Sequence, residues 1–114
     1  MKCILKGTDF VISSQVEEAK TFKTRLLGLM FRPSLEAGHD GLWLEPCCQI
    51  HMFFMRFAID VIFVDASGLI IGVLENFKPW RISPIFWGAR AALELPAGTL
   101  RGRVKKGDRL EILR

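Results

Sequence analysis

The sequence predicts a mainly β domain: a sandwich or jelly-roll-like barrel of short strands with one short α-helix. Three observations predict it. The stretch Ile50–Val64, IHMFFMRFAIDVIFV, is almost continuously apolar and lacks Gly and Pro, as expected of strand buried on both faces. Short apolar clusters, about eight of them, recur with turn residues between them, the pattern of an all-β sandwich or barrel. Helical spacing occurs in one place, Thr21–Phe31, where Phe22, Leu26 and Leu29 with Met30 recur around Lys23, Thr24 and Arg25.

Taken in order, Cys3–Leu5 and Phe10–Ile12 flank Gly7-Thr8-Asp9 and read as strand, turn, strand. Val16–Lys20 is polar and reads as an extension of the second strand. Thr21 caps the helix. Gly28 inside it costs about 1 kcal/mol relative to Ala and points to close packing. Pro33 ends it, because the residue before a proline disfavours helical geometry. Ser34–Gly41 is a loop, and Leu42–Leu44 a short strand ending at Pro46. The central run follows, bent near Phe57–Ala58. Asp65-Ala66-Ser67-Gly68 is a strong turn signal before the return strand Leu69–Leu74. Phe77–Gly88 is broken by Pro79 and Pro84; a short strand is expected at Arg81–Ser83, with Trp80, Phe86 and Trp87 buried. Ala91–Leu95 and Arg109–Leu113 complete the set.

At 114 residues the chain is expected to form a single domain, 1–114. Half of its residues are hydrophobic, enough for one core without disulfides or metals. No apolar run approaches the roughly 18 residues of a membrane span. Lys6 and Asp9 interrupt what would be the apolar region of an export signal, so the cytoplasm is the expected compartment. Cys3, Cys47 and Cys48 are odd in number, and two are adjacent; reduced thiols are expected. The net charge of +4 comes from residues 101–114, where six basic residues face Asp108 and Glu111. That strip could meet a polyanion. It has no interleaved aromatic residue for base stacking, which speaks against nucleic acid and for a solvated hairpin.

Strand alternation sets Asp60 on one face with Ile62 and Val64, and Ile59, Val61 and Phe63 on the other. A buried charge is costly unless it is paired or hydrogen-bonded. Asp60 therefore either meets an arginine or several N–H donors, or lines a pocket. Arg25 and Arg32, on either side of Gly28-Leu29-Met30, are the expected cationic partners. Glu94, in the run Leu93–Gly98, is the second carboxylate among apolar neighbours. His51 is either a hydrogen-bonded structural residue or a site base or ligand. Cys47, Cys48 and His51 lack the partner pair that zinc needs, and no cofactor is expected. Nucleophile, phosphate-loop and H-E-x-x-H motifs are absent.

Arg25–Arg32, Gly41-Leu-Trp, His51 through Gly68, Leu93–Gly98 and Gly107-Asp108 together resemble, in order, the prokaryotic family called domain of unknown function 192. The resemblance runs from about Thr24 to Leu113 and rests on several ordered blocks. It implies a compact, mainly β domain with a short helix at Gly28-Leu29-Met30, and it implies no activity. Many members have a Trp-Met-Lys-Asn-Thr-like segment where this chain has Phe53–Phe57. The leading functional expectation is a noncatalytic binding or interaction module for an unknown protein or small molecule. The second is a small-molecule pocket or enzyme built on His51, Asp60, Glu94, Arg25 and Arg32. The third is polyanion binding through the basic C-terminal strip.

Overall fold

Two β-sheets, of three and five strands, make up the described part of the chain. The structure is a computed structural model and describes residues 1–19 and 40–114. The expected helix at Thr21–Phe31, with Arg25 and Arg32, lies outside the described residues, as does most of the loop 34–41.

The smaller sheet has the order β2-β1-β8, formed by β1 (Lys2–Leu5), β2 (Val11–Ser13) and β8 (Leu110–Leu113), all antiparallel. The larger has the order β3-β4-β7-β5-β6. Its strands are β3 (Val16–Ala19), β4 (Gly41–Leu44), β5 (Ile59–Val64), β6 (Ile70–Phe77) and β7 (Ala91–Pro96). Among the described strands only the β3–β4 pairing is parallel.

The sequence reading needs three corrections. Val16–Ala19 does not extend β2. The chain changes sheet at Ser14-Gln15, and Asp40 pins the crossing by accepting from the Ser13 hydroxyl and from the Ser14 and Gln15 N–H groups. The run Ile50–Val64 is strand only from Ile59; before that it is irregular apart from one bridge between His51 and Ile82. That bridge is all that forms of the strand expected at Arg81–Ser83.

β5 is buried at every position because β7 and β6 flank it and both of its faces are covered. Its alternation separates two apolar clusters. Ile62 and Val64 join Trp43, Leu93 and Leu95 against Cys3, Leu5, Ile12 and Leu110 of the smaller sheet. Val61 and Phe63 join Leu42, Leu44 and Ala92 on the other face, under Ile50, Met52 and Met55 of the loop before β5.

The β5–β6 turn forms as the sequence indicates. The Asp65 carboxylate accepts from the Ser67 hydroxyl and from the N–H groups of Ser67 and Leu69, and these bonds hold it below the usual carboxylate range. Gly68 has φ 88°, and a Cβ there would meet the Leu110 carbonyl oxygen at 2.7 Å. A glycine is needed on both counts. This turn also joins the two sheets, since Leu110 N–H bonds the Gly68 carbonyl at 2.8 Å.

Candidate functional site

Asp60 is 1% exposed and faces the inter-sheet side, with Ile62. A bulge in β6 explains its partners. Ile59 pairs with Phe77 and Val61 with Leu74, so Glu75 and Asn76 stand opposite Asp60 alone. Asn76 takes φ 53°, and its N–H bonds Asp60 Oδ1 at 2.8 Å. Leu100 N–H bonds Oδ2 at 3.0 Å. Glu75 similarly accepts from Gly102 N–H, at 3.1 and 3.2 Å. The two carboxylates thus hold the segment after β7 onto the end of β6. Charge-assisted bonds to backbone N–H groups stabilise a buried carboxylate without a cation. Arg25 and Arg32 lie outside the described residues.

Glu94 is buried too, but on the other face. It pairs with Leu42 on one side and Val61 on the other, whereas Asp60 pairs with Leu95. Directly opposed residues share a face, so the sheet lies between the two carboxylates. His51 is on neither strand. It sits half-buried in the loop that covers the Glu94 face, and its Nδ1 accepts from Phe53 N–H at 3.3 Å. That acceptor role directs its proton to Nε2.

The loops covering that face present a second constellation. His51 stacks on Phe53 with ring centroids 5.2 Å apart; Trp80 lies 6.2 Å from Phe53 and 5.0 Å from Phe54. The expected burial of Trp80 and Trp87 does not occur: they are 61% and 83% exposed. Phe53, Phe54, Ile82 and Ile85 are exposed as well. Phe86 packs down, stacked on Phe63 at 4.3 Å over Gly72, where a Cβ would stand 2.2 Å from its ring, and Phe57 packs against the same cluster.

These side chains project from a fixed backbone. Met52 N–H bonds the Arg81 carbonyl at 2.6 Å, Trp80 N–H the Met52 carbonyl at 2.7 Å, and Ser83 N–H the Ile50 carbonyl at 2.9 Å. The Ser83 hydroxyl accepts from Ile50 N–H at 3.0 Å. Phe54 and Trp80 both have positive φ, 62° and 65°. Bulky residues rarely adopt this conformation, and it costs about 1 kcal/mol or more at each.

The charge of the two loops has one sign. Residues 46–58 and 78–90 hold Arg56, Lys78, Arg81 and Arg90 and no Asp or Glu. Arg90 is bonded to Glu45 at 3.2 Å. The loops also hold Phe53, Phe54, Phe57, Trp80, Phe86 and Trp87, half of the chain's nine Phe and three Trp. This coincidence of aromatic residues with cations was the signal available in the sequence for the exposed patch.

Elsewhere the chemistry is spent on structure. Arg101 bonds the Gly98 carbonyl, Arg103 lies 3.8 Å over the Phe10 ring, Arg109 bonds the Ser67 hydroxyl, and Arg114 pairs with Glu18, so four of the six basic residues of the C-terminal strip are engaged. All three cysteines are thiols; burial pushes the Cys3 thiol up to about 12, while Cys48 is exposed. Among the described residues no three His, Cys, Asp or Glu side chains are grouped to hold a metal ion. Among the described residues no helix is long and apolar enough to cross a membrane.

The family model for domain of unknown function 192, described as an uncharacterised ACR, matches residues 4–112. A UPF0127 protein of Pyrococcus furiosus is 37% identical over 111 residues, spanning 95% of this chain and 93% of that one. A UPF0127 protein of Thermococcus sibiricus is 35% identical over 95 residues, 79% of this chain but 60% of that longer relative. Among solved structures, a protein of unknown function from Novosphingobium aromaticivorans superposes with TM-score 0.80 at 25% identity, over 98% of this chain and 84% of that one. A protein from Sinorhizobium meliloti described as a candidate transcription regulator gives TM-score 0.73 at 27% identity, over 96% and 89%.

Proposed function

The chain belongs to the domain of unknown function 192 family, and within it we propose that this protein is a noncatalytic interaction module of sandwich type, acting in the cytoplasm. The observation that carries this reading is the exposed cluster of Phe53, Phe54 and Trp80 on hydrogen-bonded loops. Exposed apolar patches on a rigid scaffold mark contact sites, because water contact costs about 25 cal/mol per Å² of apolar surface until a partner covers it. Backbone strain at Phe54 and Trp80 supports the same reading, since strained residues persist where the surroundings hold them for a purpose. Asp60 supports it from the other side: both of its oxygens accept backbone N–H groups, a holding role rather than a base's.

Site-specific photocrosslinking in cells tests the proposal. A photoreactive residue at position 80 should give a discrete adduct, to a protein or to lipid, and the same residue at exposed Lys105 should not. No adduct of either kind at position 80, or equal labelling at both, would sink the reading.

A second reading rests on Glu94, a carboxylate buried on an apolar sheet face on the same side as His51. In this reading the pair lines a small-molecule pocket. It gains ground if a ligand screen finds a compound that raises the melting temperature of the wild type but not of Glu94→Gln.

A further inference from the structure

We infer that the occupant of this aromatic patch is the surface of an anionic lipid bilayer; the inference rests on the interaction-module reading and names its partner. The patch joins two features that a bilayer interface selects together. Trp80, at 61% exposed, and Trp87, at 83%, are of the residue type most enriched at the headgroup level, and Ile82, at 57%, adds aliphatic surface for the acyl boundary. Cations are the only formal charges in the two loops, and each basic residue near an anionic leaflet adds a favourable contribution. Among the described residues, Arg56, Lys78 and Arg81 form no ion pair, so their charges remain for headgroups.

The form of the patch separates this partner from others. A rigid protein must offer a matching pocket for each projecting tryptophan, whereas a bilayer yields to any shape. Single-stranded nucleic acid would need aromatic faces open for stacking. Here Trp80 already meets Phe53 at 6.2 Å and Phe54 at 5.0 Å, and Ile82 and Ile85 offer no π-face. The cross-bonded loop backbones mean that little ordering is needed on contact, which favours binding.

The test uses the full chain with vesicles of phosphatidylcholine alone and of phosphatidylcholine mixed with phosphatidylglycerol. Co-sedimentation should occur with the mixed vesicles and fall as salt rises. In a variant whose only tryptophan is Trp80 (Trp43→Phe, Trp87→Phe), emission should shift to the blue and be quenched by brominated acyl chains. Phe54→Ser with Trp80→Ser should weaken binding at least tenfold. Lys78→Ala and Arg81→Ala should each weaken it roughly fivefold; they leave the aromatic cluster intact and guard against a misfolded double variant. Absence of binding to the mixed vesicles would overturn the inference, as would binding indifferent to these variants or tighter binding to oligothymidylate with Trp80 quenched. A discrete protein adduct at position 80 without vesicle binding would overturn the lipid partner and leave the interaction module standing. No adduct and no vesicle binding would remove both.

Discussion

The two faces of the five-stranded sheet are equally apolar but are closed in different ways. On the Asp60 side a second sheet lies over Ile62, Val64, Leu93 and Leu95, and apolar side chains from both sheets end in one core. On the Glu94 side loops lie over Val61, Phe63 and Ala92. Their inward residues, Met52, Met55 and Phe86, pack down; their outward ones, Phe54, Trp80 and Trp87, face water. A sheet can hide one face and turn polar on the other. A loop cover that is apolar on both sides has been kept apolar at a cost, and stability of the fold does not require it. On the proposed reading the two sides divide the labour, with holding on the first and contact on the second.

The largest effect should come from the Asp60 side. Asp60→Ala strands the N–H groups of Asn76 and Leu100, the second of them in a buried bond. Each stranded donor costs about 1–3 kcal/mol, so the loss should be of order 4 kcal/mol, much of a small domain's stability. Asp60→Asn, which keeps one accepting oxygen, should lose about half as much. Chemical denaturation reads both, and a wild-type midpoint for Asp60→Ala would break the contrast between the faces.

Next comes Gly72, where the loop cover meets the sheet. The Cβ of Gly72→Ala would stand 2.2 Å from the Phe86 ring, which cannot retreat without leaving its stack on Phe63. Overpacking of this kind costs about 1–3 kcal/mol. The sharper measurement is a double-mutant cycle: in a Phe86→Ala background, Gly72→Ala should be close to neutral. Equal costs in both backgrounds would show that Phe86 does not anchor the loop.

How legible this was depends on the kind of residue involved. The β5–β6 hairpin could be read because the Asp65 carboxylate takes its bonds from Ser67 and Leu69, within five residues. The separation of Asp60 from Val61 and Phe63 followed from alternation alone. The switch of Val16–Ala19 into the larger sheet did not, because strand partners are chosen by tertiary packing and a short polar strand carries no address. The donors to Asp60 are backbone N–H groups, which leave no mark in the sequence. Trp80 and Trp87 were expected inside because residue type indicates where burial is favourable, and these two lie where it does not happen. The cation-rich, acid-free composition around them carried the missing information.

A smaller effect is expected at Asp40, which pins the crossing between the sheets. Burial alone would raise its pKa. Hydrogen bonds from Ser13, Gln15 and Ser14 outweigh that and hold the carboxyl below its ordinary 3.8. A depressed folded value means that its stabilisation is complete above 3.8 and is lost as pH falls through the lower folded value. Asp40→Asn should therefore be less stable than wild type by about 1–2 kcal/mol at neutral pH, with the gap closing in strong acid. Melts across that range check the sign; a gap that widens in acid would contradict it.

The smallest stability effect, and the most telling one, belongs to the aromatic patch. Trp80 and Phe54 hold positive φ, and a bulky side chain pays about 1 kcal/mol or more for it. Their mutual contact at 5.0 Å returns about 0.5–1.5 kcal/mol. The two terms nearly cancel. Trp80→Asn, a residue that tolerates left-handed backbone, should therefore change stability by less than about 1 kcal/mol. Trp80→Gly should do the same, less a little for the added freedom of its unfolded chain. A tryptophan that serves a core behaves differently: its truncation costs about 3–5 kcal/mol. Trp43, buried between the sheets, is the internal standard, and Trp43→Ala should fall in that range. If Trp80→Asn costs as much as Trp43→Ala, the exposed ring is a structural prop and the division between the faces fails. If it costs nothing while vesicle binding drops, the ring is retained for contact, and the strain at φ 65° is what keeps it projecting.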